Sequence, residues 1–263
     1  MNSTTASKLA AATQSADVPV VTFTPRQTGI LPGTTKFPFD MHVTTNGMDR
    51  SDAYALRFKA YDAAGYPPEE GAGSFSDPAD GFATTAVIAA YDNAKCVGTL
   101  RVCFSYPWQP ISNLPCSPYF PAIKAVKAVA TSAVVEVGRL AIDPDITNTS
   151  YRTTLYAALV RAAFIAAQAG GASDILLTAR PTAVPFYKAM LGFKPVGGTA
   201  IYPPGDAAIT LLAGSIGDAE QKQRAQNAFF RITPEEIASM RIALGEAIAQ
   251  PVHVDRQPRR MGV

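Results

Sequence analysis

The chain has 263 residues, 48% of them apolar and 17% charged, with a formal net charge of +2. That length supports a sizeable core in one large or two small domains, and no apolar run reaches the ~18 residues that span a bilayer, so a soluble globular protein is expected. So small a charge gives no case for nucleic acid as a partner, and the three cysteines, Cys96, Cys103 and Cys116, with His42 and His253 lack zinc-ligand spacing. No metal is called for, and reduced thiols in a cytoplasmic protein are the plain reading.

Met1 to Ala16 is rich in Ser, Thr and Ala and lacks the basic start and apolar stretch of a secretory signal; it reads as a disordered leader, followed by a strand-like run at Val18–Phe23. Asp49–Ala64 reads as a helix, with Asp49 or Ser51 to cap its start, Gly65 its end, and Tyr54, Phe58 and Tyr61 at helical spacing. A Gly- and Pro-rich loop runs to Gly81. Phe82–Tyr91 and Cys96–Phe104 read as strands joined by the polar turn Asp92–Lys95, an antiparallel hairpin. Tyr106–Pro121 holds five prolines and the chain's single tryptophan. It cannot lie inside a sheet and reads as a covering flap or an acceptor-binding loop.

A short helix is expected at Ile123–Val129 and a central strand at Ala133–Ile142, closed by Asp143-Pro144. Ser150–Ala169 is the strongest helix, with Leu155, Leu159, Ala163 and Ala167 on one stripe and Gly170-Gly171 to stop it. Asp174–Ala179 is a strand, Thr182–Leu191 a helix ended by Gly192, and Phe193–Val196 and Ala207–Ala213 two more strands. Two helices, Asp218–Arg231 and Thr233–Gln250, complete the chain. The second opens on the capping box Thr233-Pro234-Glu235-Glu236, and the pair reads as a packed appendage or an oligomerisation element. The basic tail around Arg256, Arg259 and Arg260 reads as a solvated end, or as a weak attraction for an acidic carrier protein. This order predicts an α/β (α+β) fold with helices packed on one sheet, laid out as a leader (1–40), a main domain (41–214) and a C-terminal helical extension with its tail (215–263).

Within the central strand, Glu136 and Arg139 interrupt an apolar run. Buried charges without partners are costly, so the two are either an ion pair at a sheet edge or part of a site. Strand periodicity sets residues three apart on opposite faces. A bulge at Gly138 would bring both toward one cleft and free backbone N–H groups, with the donor placed near Leu140. Tyr187 sits on the short helix before Gly192-Phe193, either as an acid or as a core tyrosine with a satisfied hydroxyl. Arg57, Arg101 and the pair Asp77 and Asp80 read singly as surface charges, and Asp77-Pro-Ala-Asp80 as a turn and helix cap. Amide formation from a thioester needs such a set. It takes a donor for the developing oxyanion, a base for the amine proton, an acid for the leaving thiolate, and backbone groups along a pantetheine arm.

The run from Val134 to Val196 resembles the GNAT acyltransferase superfamily. Gly98-Thr99-Leu100-Arg101 and Phe186-Tyr187-(x4)-Gly192-Phe193 look like its third-strand and fourth-helix signatures. The resemblance implies a GNAT-like fold, a mixed central sheet with splayed strands flanked by helices. It implies pantetheine bound along Leu140, Ala141 and Ile142, and Tyr187 as the acid. One departure is informative: the segment Asn148–Tyr156 has no glycine where the superfamily carries a pyrophosphate-cradling turn, and only Arg152 there can meet a phosphate. A donor whose pantetheine hangs on a carrier protein suits that segment better.

Arg57, then Asp77 with Asp80, then Arg101, then Glu136 with Arg139 also follow the order seen in the FeeM-like N-acyl amino acid synthases and the related acyl-homoserine lactone synthases, over roughly residues 42–213. That resemblance implies a charged cluster that orders the first helix and receives a polar acceptor, with Glu136 as base through a water and Leu140 as the backbone donor. It implies an acyl tunnel between sheet and helices, no permanently bound cofactor, and an acyl-phosphopantetheine thioester donor (acyl carrier protein or acyl-CoA). The partners would be acyl carrier protein, a fatty acyl chain and an amino acid acceptor; no nucleic acid is implied, and membrane contact would come only through product or tail. Phe186-Tyr187 with Gly192-Phe193, the lack of a tryptophan near Gly65-Tyr66-Pro67-Pro68 and the long C-terminal extension favour the amino-acid branch. The other readings are a lactone synthase, an acyl-CoA enzyme with a small amine, and a carrier-binding module without turnover.

Overall fold

The computed structural model describes residues 23–25, 39–44, 50–66, 73–203, 208–226 and 231–245. Residues 1–16 of the leader, the run 18–22, Asp49, Pro67-Pro68, residues 227–230 and 246–250 and the basic tail lie outside the described residues. The strands in chain order are β1 (Phe23–Pro25), β2 (Asp40–Thr44), β3 (Thr85–Asp92), β4 (Lys95–Ser105), β5 (Ala133–Ile142), β6 (Ala172–Ala179), β7 (Lys194–Ile201) and β8 (Ala208–Ser215). The helices are α1 (Ser51–Ala63), α2 (Ile123–Val129), α3 (Thr149–Ala169), α4 (Val184–Leu191), α5 (Ile216–Gln226) and α6 (Pro234–Leu244). The eight strands among the described residues form one mixed sheet in the order β1-β2-β3-β4-β5-β6-β8-β7.

Local chemistry explains most of these boundaries. The β3–β4 hairpin turns on Asn93 and Ala94, both left-handed (φ 47° and 69°), the handedness that matches the twist of paired strands. α4 follows a 3-10 turn at Pro181–Ala183 and stops where Gly192 takes φ 73°, a conformation that favours glycine. α6 opens on the expected capping box, Thr233 with Glu236, and carries Pro234 in its first turn. α1 departs from expectation: its N-cap is Arg50, which makes no side-chain cap, and Ser51 is already helical. Arg50 instead reaches across to Thr85, donating from Nη2 to the carbonyl at 3.0 Å. That tertiary contact fixes the helix start in place of a local cap.

The two faces of the sheet are covered differently. On one, Leu100, Val102 and Phe104 of β4 and Val135 of β5 pack with α3 in the main apolar cluster. On the other, Val134 and Leu176 pack with Leu114, Cys116, Phe120 and Ile123. The proline-rich loop therefore covers the second face, with Leu114 and Cys116 fully buried, while its Trp108 is 62% exposed and stacks on Tyr106 at 5.0 Å.

α3 is buried around more than the predicted stripe, Ala158, Ala162 and Ala166 included. The cause is α6, whose Met240, Ala243 and Leu244 join the same cluster and which packs on α3 and on β1 and β2. Arg161 of α3 meets Glu236 of α6 in a two-pronged ion pair, Nη1 to Oε1 at 2.6 Å and Nη2 to Oε2 at 2.7 Å, with both side chains fully buried. The apolar faces of the C-terminal helices are thus used within the chain. Among the described residues no helix is long and apolar enough to cross a membrane.

One feature of the sheet positions the site. β5 and β6 run parallel and pair only from Ala133 to Val137, against Ala172 to Leu177. Beyond Val137, β5 stays with β4 as far as Ile142, and β6 stays with β8 as far as Ala179. The two central strands therefore diverge, and the backbone of β5 from Gly138 onward faces the gap without a partner strand.

Candidate active site

A cleft of about 650 Å³ opens in that gap, walled by Gly138–Ile142 of β5 and Leu177–Arg180 at the end of β6. A bulge shapes its β5 wall. Thr99 pairs with Ala141 and Arg101 with Gly138, so Leu100 alone stands opposite Arg139 and Leu140. The expected bulge exists, but one residue beyond Gly138: Arg139 holds the left-handed conformation, φ 52°. For a side-chain-bearing residue this costs about 1–2 kcal/mol. The Arg139 guanidinium supplies the compensation. Nε and Nη2 donate to Asp77 Oδ2 at 2.9 and 2.6 Å, and Nη1 donates to the Pro203 carbonyl at 2.7 Å. The group also lies over the rings of Phe75 (4.9 Å) and Tyr202 (5.3 Å). Gly138 has no such strain, and a Cβ built there would meet nothing within 4 Å. Its missing side chain leaves room in the cleft rather than in the core.

The charged residues predicted from sequence converge behind this wall. Asp77 caps the 3-10 turn Pro78–Gly81, accepting from Ala79 N at 3.0 Å, while Asp80 accepts from Asp77 N at 2.9 Å. Two readings of Asp77-Pro-Ala-Asp80, a capped turn and a charged site, describe one object. Arg57 Nη1 reaches both oxygens of Asp80 at 2.9 and 3.0 Å. Arg101 Nη1 bonds Asp77 Oδ1 at 2.5 Å and stands 3.3 Å from Asp80 Oδ2. Asp77 thus bridges two guanidiniums. Burial works to raise its carboxyl, but Arg101 and Arg139 overcome that and hold it at about 2. Arg101 and Arg139 reach the cleft wall. Arg57 and Asp80, both buried, brace them from behind.

Glu136 is 2% exposed and stands off the cleft, behind its wall. Its Oε2 accepts the Cys116 backbone N–H at 2.8 Å, and its Oε1 accepts the Tyr202 hydroxyl at 3.3 Å. Burial raises its carboxyl above the usual range, against the pull of the Cys116 contact and of Arg101 and Arg139. Tyr202, from the chain just past β7, does line the cleft. No sequence motif marked it: it stands outside every signature read along the chain and joins Glu136 only through the fold. Two cysteines adjoin Glu136. Cys103 is its cross-strand partner. Burial pushes the Cys103 thiol up to about 11 and raises Cys116 as well. Neither is a thiolate at neutral pH, so neither suits the role of a covalent nucleophile.

The cleft's other half belongs to the main core. Val160 and Phe164 of α3, Ile175 and Leu177 of β6, and Leu191 and Phe193 line it with apolar surface. Two tyrosines stand at this wall: the Tyr156 hydroxyl donates to the Tyr187 hydroxyl at 3.1 Å, which leaves the Tyr187 proton to be donated elsewhere. Burial raises the Tyr187 phenol despite that bond, so it stays protonated at neutral pH. Leu140, Ala141 and Ile142 line the cleft along the unpaired edge of β5. Arg152 also lines the cleft, and its Nη1 closes the β5–α3 turn by donating to the Asp143 and Ile146 carbonyls at 3.0 and 3.3 Å. At the start of α3 the Asn148 side chain accepts the Tyr151 N–H at 2.9 Å. An amide that could cradle a pyrophosphate is taken by the chain's own cap. The structure thus brings eight of the expected residues to the cleft or its charged wall: Arg101, Arg139, Leu140, Ala141, Ile142, Arg152, Tyr187 and Asp77. It sets Arg57, Asp80 and Glu136 one layer behind.

A family model, FeeM, N-acyl amino acid synthase, matches residues 52–215. No curated protein matches the chain. Among solved structures, FeeM, an N-acyl amino acid synthase from uncultured soil microbes, is 16% identical with a TM-score of 0.56 over 72% of this chain and 96% of that one. The acyl-homoserine lactone synthase LasI is 10% identical with a TM-score of 0.55 over 71% and 95%. The CoA-dependent acyl-homoserine lactone synthase BjaI, solved with SAM and isopentyl-CoA, is 15% identical with a TM-score of 0.52 over 77% and 98%. At such identities the structures share the fold, a GNAT-like acyltransferase fold.

Proposed function

Because the chain belongs to the FeeM N-acyl amino acid synthase family and is therefore an N-acyltransferase, we propose that it moves a long-chain fatty acyl group from an acyl-carrier-protein thioester to the amine of an amino acid. The observation that carries this reading is the cleft itself, which joins an apolar wall of α3 and β6 residues to a polar wall bearing Arg101, Arg139 and Tyr202 across one unpaired strand edge. The acyl chain lies against the apolar wall, where each buried methylene contributes about 0.8 kcal/mol. The pantetheine arm runs along Leu140, Ala141 and Ile142, and the Leu140 N–H meets the oxyanion. The amine nitrogen bonds the thioester carbon, Glu136 receives the amine proton, the C–S bond breaks, and Tyr187 protonates the departing sulfur. The products are an amide and a free carrier thiol.

A carrier-bound donor is favoured over acyl-CoA by the Asn148 cap at the start of α3, which occupies an amide that a pyrophosphate would need. Three free cysteines, two of them buried, suit a reducing cytoplasm. Mass spectrometry of lipid extracts from cells overproducing the chain tests the reading. A new N-acyl amino acid, absent from cells bearing Glu136→Gln, is the expected result. A new acyl-homoserine lactone, or no new lipid, would overturn it.

A further inference from the structure

We propose that Tyr202 is the group that takes the proton from the attacking amine while passing its own hydroxyl proton to Glu136, so that the buried carboxylate works through a tyrosine. The proposal rests on the acyl-transfer reading. Its starting point is a mismatch between chemistry and position: the carboxylate best suited to accept a proton is 2% exposed and off the cleft wall. Tyr202 closes the distance. It lines the cleft, and its hydroxyl already donates to Glu136 Oε1 at 3.3 Å. The carboxylate cannot easily turn away, because its other oxygen is held by the Cys116 N–H at 2.8 Å.

Tyr202 is also fixed in place. Its ring packs edge-on against Tyr119 at 4.9 Å, and the Arg139 guanidinium lies 5.3 Å from its centroid. The next residue, Pro203, gives its carbonyl to Arg139 Nη1 at 2.7 Å. A donor–acceptor pair held this way loses little to reorganisation when the proton moves. Charged and titratable groups facing the pair include Arg101 and Cys103 from β4, Arg139 from β5, and Cys116 and Tyr119 from the proline-rich loop.

The amine lone pair forms the C–N bond, and an N–H proton passes to Tyr202 Oη as the Tyr202 proton passes to Glu136 Oε1. The C–S electron pair leaves with sulfur, which takes the Tyr187 proton. Glu136 is then neutral and Tyr187 anionic, and exchange with solvent restores both. The two proton movements at Tyr202 must run together, because burial first and the Glu136 charge second make a free phenolate at 202 costly.

The test uses the purified chain with an acyl carrier protein thioester and an amino acid acceptor. If the wild-type chain turns over no such pair, the acyl-transfer reading fails and the relay fails with it. Given turnover, Tyr202→Phe is expected to lower kcat by about 10²–10⁴-fold with the donor KM changed less than about twofold, and Glu136→Gln to do the same. The double variant should be no slower than the slower single one, because the two residues act as a unit. A Tyr202→Phe enzyme within about threefold of wild-type kcat, or a double variant that loses the product of the two single losses, would overturn the relay. Should Tyr202→Phe not fold, a proton inventory on Tyr187→Phe, which lacks the other donated proton, decides: a bowed dependence of kcat on deuterium fraction supports two protons in flight at Tyr202, and a straight line overturns them.

Discussion

The two halves of the cleft are built on opposite principles. The polar half is made of residues that hold one another: Asp77 bridges Arg101 and Arg139, Asp80 joins Arg57 to Arg101, and Glu136 is fixed by Cys116 and Tyr202. The apolar half, apart from the hydrogen-bonded pair Tyr156 and Tyr187, is made of residues that hold nothing polar and are replaceable by shape. The first half carries geometry and charge, in which a small change propagates. The second carries volume, in which a change stays local. A charged network set in a half-diverged sheet is expensive to break but precise, and an apolar wall is forgiving but tunable.

The largest expected effect tests the first half. Asp77→Asn leaves the buried Arg101 and the Arg139 guanidinium short of their shared counter-charge, and should cost about 3–5 kcal/mol of stability, read as a lowered thermal midpoint. The same residue sets an acid limit. Its folded carboxyl titrates at about 2 against an ordinary value of 3.8. A depressed folded value means that its stabilisation is complete above the unfolded value and is lost as pH falls from about 4 toward 2. Wild type should therefore lose stability through that window, and Asp77→Asn should lose markedly less; equal slopes would show that the bridge is not a stabilising one.

Tyr187→Phe comes next. It removes the proposed acid but keeps the ring, and should lower kcat by about 10²-fold at unchanged stability. A change confined to donor KM would reassign Tyr187 to binding.

Phe164→Trp narrows the apolar half. It should shift preference toward shorter acyl chains, with each methylene excluded weakening donor binding by about 0.8 kcal/mol. A loss that is uniform across chain lengths would place the acyl chain elsewhere.

The smallest effect is expected at Gly138→Ala. The fold leaves that Cβ open space, so stability should move by less than about 0.5 kcal/mol, while the donor KM rises because the cleft wall is filled. Unchanged kinetics would show that this stretch of the wall is not contacted.

Local signals made much of this legible. α2 and β5 begin and end where residue patterning put them, at Ile123–Val129 and Ala133–Ile142, because Pro121 stands just before one and an apolar run closed by Asp143-Pro144 defines the other. The charged cluster was legible through the order of its residues, though each alone looks like a surface charge. What sequence could not show was phase and partnership. The bulge falls on Arg139 rather than Gly138, because contacts from Asp77 and Pro203 outweigh the conformational freedom of glycine. Arg161 and Glu236 lie 75 positions apart, and only the packing of α6 on α3 explains why an arginine sits inside an apolar helix. Tyr202 follows the same rule, a tyrosine of no local distinction until the fold sets it on Glu136.

On the proposed mechanism Glu136 and Tyr202 of the polar half take the amine proton, Tyr187 supplies the other proton, and the apolar side chains hold the donor. Single-turnover kinetics of Glu136→Gln with a pre-bound acyl carrier thioester test it most directly. A donor Kd within about twofold of wild type and an acyl-transfer rate at least about 10²-fold lower are expected. A weakened Kd with an unchanged transfer rate would contradict it, and would make Glu136 a residue of the wall rather than of the reaction.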